Sequence, residues 1–226
     1  MRPVTSQLLQ RAARVRHGFF TRGTAPVDLD RIAAALDVDL AALATVRQIH
    51  SAQVVEVTRT TIDACTDREA DALWTTDSGI AVVVRTADCV PMLATTADGA
   101  VAAAVHGGWR GLAAGVIEAT AEALRERGIE ARQLLVAIGP HIGPCCYRVG
   151  AEVVDALGTP SRVERDDELF ADLGAVAVER WQRVGVPRNQ IDRIDICTAC
   201  DPERFFSHRR DQGYSGRQLS AIMRVV

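Results

Sequence analysis

The chain has 226 residues, 48% of them hydrophobic and 24% charged, with a formal net charge of −3. That length can bury a substantial core, and the slightly acidic balance gives no general pull toward nucleic acid or anionic membranes, so small molecules are the expected partners. The first twenty residues show neither a continuous apolar run nor a small-residue cleavage site, so no secretory signal or membrane anchor is read and a cytoplasmic setting is expected. Six cysteines, at 65, 89, 145, 146, 197 and 200, are then expected to be reduced or metal-bound rather than paired in disulfides.

Short β-branched runs alternate with longer helical stretches, without repeats or low-complexity linkers, and predict one compact α/β or α+β unit over residues 1–226. In chain order the expected elements are a helix over Asp28 to Leu36, then strands over Gln53 to Val57, Ile80 to Arg85, Val90 to Thr95 and Ala100 to Val105. Asp98-Gly99 is a hairpin signal between the last two. A helix follows over Gly111 to Arg127, with Leu112, Val116, Ala119 and Ala123 on one face and Gly128 capping it. The remainder reads as a strand over Leu134 to Ile138, a helix over Asp172 to Val184, and strands over Ile194 to Cys197 and Leu219 to Val225.

The hairpin has a chemical consequence. Cys89 precedes one of its runs and His106 closes the other, so the pairing brings thiol and imidazole to the same open end. His50, just before the strand at Gln53, is a third donor. Two imidazoles and one thiolate leave a fourth tetrahedral position open, as in catalytic zinc sites, where the pKa of bound water falls to about 7. Asp88, beside Cys89, is placed to move protons. Spacing alone does not join the three donors, and buried cysteines and strand-end histidines often serve packing alone.

The turn from His106 through Gly107, Gly108, Trp109 and Arg110 to Gly111 combines glycines, a helix start and a full charge, which suits a phosphate or carboxylate, although such glycines also serve close helix packing. Ile138-Gly-Pro-His-Ile-Gly-Pro-Cys145-Cys146-Tyr147 is a rigid loop whose vicinal cysteines fit nucleophile, ligand or packing roles. Cys197-Thr-Ala-Cys200 has the spacing of a redox pair or half a zinc ribbon, but no second CxxC completes four thiolates, so packing and loop shaping are the favoured roles for these thiols. The segment Arg204 to Asp211 concentrates arginines and aromatics, suited to gripping phosphate and stacking on a purine or simply to a solvated loop.

Taken together, RQIHSAQV, DALWT, RTADCVPML, AAVHGGWRGLAAGVIEAT, IGPHIGPCCYRVG and CTACDPERFFSHRRDQGYSGRQLSAI resemble, from Arg47 onward, the YfiH-like, laccase-domain family of purine nucleoside phosphorylases, also called polyphenol oxidases or peptidoglycan-editing factors. The resemblance implies a single α+β domain of mixed β-sheets flanked by helices, with zinc held by His50, Cys89 and His106. It implies phosphorolysis of adenosine, inosine and methylthioadenosine, and deamination of adenosine by a zinc-bound hydroxide. The substrates implied are a purine nucleoside and phosphate. Asp88 and Arg47 are the expected catalytic residues, with Gly107, Gly108, Trp109, Arg110, Cys145 and Arg209 expected around the substrate and its anion. Three departures stand out: the segment after Phe20-Thr21-Arg22 is shorter than usual, His106-Gly107-Gly108 stands where His-Ala-Gly is usual, and Tyr147-Arg148 stands where Tyr-Glu is usual.

Other chemistries share these residues. A peptidoglycan-precursor amide hydrolase would use the same zinc. A copper protein, either polyphenol oxidase or electron carrier, would add Met92 to the donors. Against the oxidase, five histidines cannot furnish both a trinuclear cluster and a blue site. A Cys-His hydrolase with Cys89 as nucleophile requires that no metal bind. A binding module without catalysis would follow if the short N-terminal segment spoils substrate positioning.

Overall fold

A computed structural model describes residues 3–22, 29–213 and 216–225. Its strands are β1 (Val15–Phe19), β2 (Leu43–Ala44), β3 (Val54–Glu56), β4 (Ala72–Thr75), β5 (Ala81–Thr86), β6 (Val90–Thr96), β7 (Ala102–Gly107), β8 (Leu134–Ile138), β9 (Arg162–Arg165), β10 (Glu168–Ala171), β11 (Ile191–Arg193) and β12 (Gln218–Arg224). Its α-helices are α1 (Leu29–Leu36), α2 (Ile62–Cys65), α3 (Trp109–Ala114), α4 (Val116–Arg125), α5 (Ala151–Leu157) and α6 (Leu173–Arg183). One sheet runs β1-β12-β5-β2, a second runs β11-β8-β6-β7-β4-β3, and β9 and β10 form a hairpin.

Side-chain alternation explains the layering. In β5, Val82 and Val84 face Leu73, Leu93, Ala102 and Ala104 of the larger sheet, so the two sheets pack on each other. Ala81 and Val83 point the other way, onto Ile32 and Leu36 of α1. The far face of the larger sheet, through Trp74, Val90, Met92 and Val105, packs on Leu112, Ile117, Leu124 and Trp181 of α3, α4 and α6. Because successive strand residues alternate faces, near-continuous apolar runs are what a sheet buried on both sides requires. The fold is therefore a mixed α+β arrangement of two packed sheets flanked by helices, as the family resemblance implies. Among the described residues no helix is long and apolar enough to cross a membrane.

The Asp98-Gly99 hairpin forms: β6 and β7 are antiparallel, with Pro91 opposite His106 and Val90 opposite Gly107. Two expectations need correction. The helix expected from Gly111 to Arg127 is two helices, because Gly115 adopts a left-handed φ of 91° and closes α3 while opening α4. The strand expected at Ile194 to Cys197 lies earlier, at Ile191–Arg193, paired in parallel with β8. The Ile196 N–H turns back onto the Ile194 carbonyl, and Asp195 pairs with Arg193 at 2.7 Å, so the later residues leave the ladder. Asp28 of the first expected helix, and residues 23–28 of the shortened segment, lie outside the described residues.

Candidate active site

β5 ends at Thr86, and the chain turns through Ala87 and Asp88 to Cys89, where β6 begins. His106 stands one residue from the end of β7. His50 lies in the loop before β3. The hairpin register and the packing of that loop bring one ligand atom from each of His50, Cys89 and His106 within 4.8 Å of the others. Cys89 Sγ is 3.8 Å from His50 Nε2, and the two imidazole rings meet edge to face with centroids 4.9 Å apart.

The residue that organises this set is Asp71, just before β4, which motif reading alone did not single out although it opens DALWT. Its side chain is fully buried. Oδ1 lies 2.7 Å from His106 Nδ1 and accepts the His50 N–H at 3.0 Å, while Oδ2 accepts the N–H and hydroxyl of Ser51 at 2.6 and 2.8 Å. An imidazole that donates Nδ1–H to a carboxylate keeps its Nε2 lone pair for a metal, the usual arrangement behind metal-bound histidines. The bond to the His50 amide holds that residue in a left-handed conformation, φ 60°, of the kind that costs energy outside glycine and clusters at functional sites. Gly108 completes the enclosure, since a Cβ there would come within 2.5 Å of His50 Cδ2 and 3.4 Å of Cys89 Sγ.

The electrostatics suit metal binding. Burial opposes the charge on Asp71, but the His106 and Ser51 hydrogen bonds outweigh it and lower its pKa to about 2. Burial likewise resists ionisation of Cys89, yet the adjacent His106 and His50 lower its thiol to about 6. For His106 the same burial is outweighed by the Cys89 thiolate and Asp71, which raise it to about 9. At neutral pH the metal-free pair is thus a Cys89 thiolate and a His106 imidazolium, whose Nε2 proton a metal ion would displace while Asp71 keeps the proton on Nδ1, and His50 is the more exposed of the two rings. Two imidazoles and a thiolate within this reach of one another fit a tetrahedral divalent metal with one position left open.

Around these donors lies a cavity of about 850 Å³ whose lining includes Arg47, Arg85, Arg110, Arg209 and Arg217 but one carboxylate, Asp88. Apolar surface in the lining comes from Ile142, Tyr147 and Leu173, beside Trp109. Arg110 stacks on Trp109, 4.4 Å from the ring, and Arg209 stacks on Tyr147 at 5.1 Å. Burial, with the nearby Cys89 charge, raises the Tyr147 phenol to about 12, so it remains a donor.

The expected residues fall in different places. Trp109, Arg110 and Arg209 line the cavity. Arg47 lines it too, but its guanidinium already pairs with Glu69 at 2.8 Å. Asp88 has φ 84° and both oxygens engaged, Oδ1 by the Thr198 hydroxyl at 2.6 Å and Oδ2 by the Ser207 hydroxyl and Arg209 N–H at 3.0 and 2.7 Å. That environment suits anchoring of three segments more than proton transfer. Gly108 packs against His50 and Gly107 faces Met92 and Leu112 on the core side, neither glycine lines the cavity, and α3 has only six residues, so the positive charge of the lining comes from the arginines. Cys145 turns away from the cavity into a cluster with Cys146, Cys197 and Cys200. Met92, the extra donor of a blue-copper set, is buried and accepts the Trp181 indole N–H at 3.3 Å, on the core side of the sheet.

Residues 27–225 match the family described as multi-copper polyphenol oxidoreductase laccase, and the chain belongs to that family. It is 38% identical to a purine nucleoside phosphorylase of Xylella fastidiosa over 208 residues, 86% of this chain and 78% of the relative. It is 32% identical to adenosine deaminase RL5, from an unknown prokaryotic organism, over 85% of this chain and 79% of that protein. Among solved structures it resembles YlmD from Geobacillus stearothermophilus, with TM-score 0.87 and 29% identity over 96% of this chain and 94% of that one.

Proposed function

We propose that this chain is a zinc-dependent purine nucleoside enzyme that cleaves adenosine, inosine or methylthioadenosine with phosphate and deaminates adenosine. The observation that carries the reading is the union of two features: the His50, Cys89 and His106 donors lie in the wall of one cavity, whose other charges are almost all guanidinium groups. Names of relatives as phosphorylase and deaminase support the substrate class. Zinc held by these three residues would supply a Lewis acid that activates water or polarises the purine. Zinc is preferred over copper because Met92 is committed to the core and thiolate with imidazole suits zinc.

The chain's own residues account for the rest. Arg110 and Arg209 hold phosphate by charge-assisted hydrogen bonds, with Arg85 and Arg217 adding to the field of the cavity. Tyr147, Ile142 and Leu173 offer the base an apolar wall, and the Tyr147 hydroxyl stays protonated to donate. Asp71 fixes the His106 tautomer. Asp88 is assigned an anchoring role, tying the turn before Cys89 to Thr198, Ser207 and Arg209.

Product chromatography tests this, using metal-analysed protein and adenosine with and without phosphate. Adenine formed only with phosphate establishes phosphorolysis, and inosine formed without it establishes deamination. Zinc-replete protein that yields neither contradicts the proposal and favours the amide-hydrolase chemistry that the same metal position would allow.

A further inference from the structure

Away from that cavity wall, the loop after β8 and the loop after β11 bring four more cysteines together. Cys145 and Cys146 come from the first loop, Cys197 and Cys200 from the second, and their four Sγ atoms all lie within 4.8 Å of one another. Cys146 Sγ is 3.3 Å from Cys200 Sγ, and Cys145 Sγ is 3.6 Å from it. All six cysteines are free thiols. A disulfide would need sulfurs about 2.05 Å apart. Four sulfurs around a zinc at about 2.3 Å would stand on a tetrahedron with edges of roughly 3.8 Å, which is the scale of the observed separations.

We propose that Cys145, Cys146, Cys197 and Cys200 form a second, structural metal site, a tetrathiolate for zinc. The second half-site that a CxxC normally requires is supplied here by the vicinal pair, which no spacing rule anticipates. The backbone is arranged for thiolates. The Gly143 N–H donates to Cys197 Sγ at 3.2 Å, and the amides of Ala199 and Cys200 also point at that sulfur. Gly143 fits because a Cβ would come within 3.3 Å of Cys145 Sγ and 3.4 Å of Cys197 Cβ.

Two guanidinium groups, Arg165 and the Asp211-paired Arg210, contact the loops that would carry the net negative charge of such a site. Arg210 donates to the Thr198 carbonyl at 3.0 Å and Arg165 to the Pro144 carbonyl at 2.7 Å. Cys145 and Cys200 are exposed, so an ion can enter from solvent. The backbones are already pinned, with the His141 N–H on the Ile196 carbonyl and the Thr198 N–H on the His141 carbonyl. Metal binding here would staple the segment leading to Tyr147, on the cavity wall, to the segment whose Thr198 holds Asp88.

Elemental analysis of the full chain after zinc loading and desalting tests the site. About two equivalents are expected in the native protein, about one in Cys89→Ser or His50→Ala, and about one in the Cys145→Ser/Cys200→Ser double variant, whose exposed changes leave the core untouched. Cobalt loaded into Cys89→Ser is expected to give intense thiolate-to-metal charge-transfer bands and the visible bands of a tetrahedral ion. Unchanged zinc in the double variant overturns the proposal. So does folded Cys89→Ser protein that takes up no zinc, a disulfide among these four cysteines found by mass spectrometry of the native protein, or iron in place of zinc. Because Cys89→Ser removes the first site, failure of this proposal and failure of the nucleoside-enzyme reading are separately visible.

Discussion

Asp71 Oδ1 lies 2.7 Å from His106 Nδ1 and, in the same position, accepts the backbone N–H of His50. One buried carboxylate thereby fixes the ring of one proposed metal ligand and the backbone of another. Asp71→Asn is expected to keep the fold but weaken zinc binding by about 10–100-fold, the usual effect of losing a histidine's outer partner. A chelator competition on the variant and the native protein, made at one pH, reads this directly.

The Cys89 and His106 shifts give the metal-free protein a defined pH window. A thiol lowered to about 6 contributes stability above its ordinary range that is lost as pH falls through 6, and an imidazole raised to about 9 contributes stability below its ordinary value that is lost as pH rises through 9. The ion pair therefore prevails between the two. Alkylation of Cys89 in chelator-treated protein, followed peptide by peptide in a mass spectrometer, is expected to rise through pH about 6. In His106→Ala the midpoint is expected to move up toward that of an ordinary thiol.

Asp88 separates anchoring from proton transfer. With three donors on its two oxygens, Asp88→Asn leaves at least one buried polar group poorly matched, and a loss of about 1–3 kcal/mol is expected in denaturant unfolding. The shape of the kcat pH profile is expected to stay the same. Disappearance of one limb of that profile would restore the proton-transfer role that adjacency to Cys89 suggests.

The arginines are unequal. Arg110 stacks on Trp109 and has no carboxylate partner among the described residues, whereas Arg47 pairs with Glu69. Loss of a charge-assisted hydrogen bond worth about 1.5–3 kcal/mol corresponds to roughly 10–100-fold in affinity. Arg110→Ala is expected to raise the KM for phosphate on that scale and Arg47→Ala to change it little, as initial rates at varied phosphate would show.

The parts legible in the sequence are those written in local pattern. The Asp98-Gly99 turn and two apolar runs placed β6 and β7, and with them the proximity of Cys89 and His106. His50 was a candidate donor from its place before the strand at Gln53, and the resemblance tied it to the other two, because its position depends on a loop folded over Asp71 that no periodicity encodes. Asp71 itself was hidden, since a lone carboxylate before a short strand carries no spacing signal. The same holds for the four-cysteine cluster: Cys197 and Cys200 announce half a site, but their partners lie more than fifty residues away and are brought alongside by the parallel pairing of β8 with β11 and of His141 with Cys197. Gly115 split a helix that its apolar face made look continuous.

Anomalous diffraction at the zinc edge, from crystals of zinc-loaded protein, tests the central claim most directly. The account expects a peak bonded to His50 Nε2, Cys89 Sγ and His106 Nε2, with the His106 Nδ1 contact to Asp71 retained. A fully loaded protein with no peak among those three atoms would contradict it.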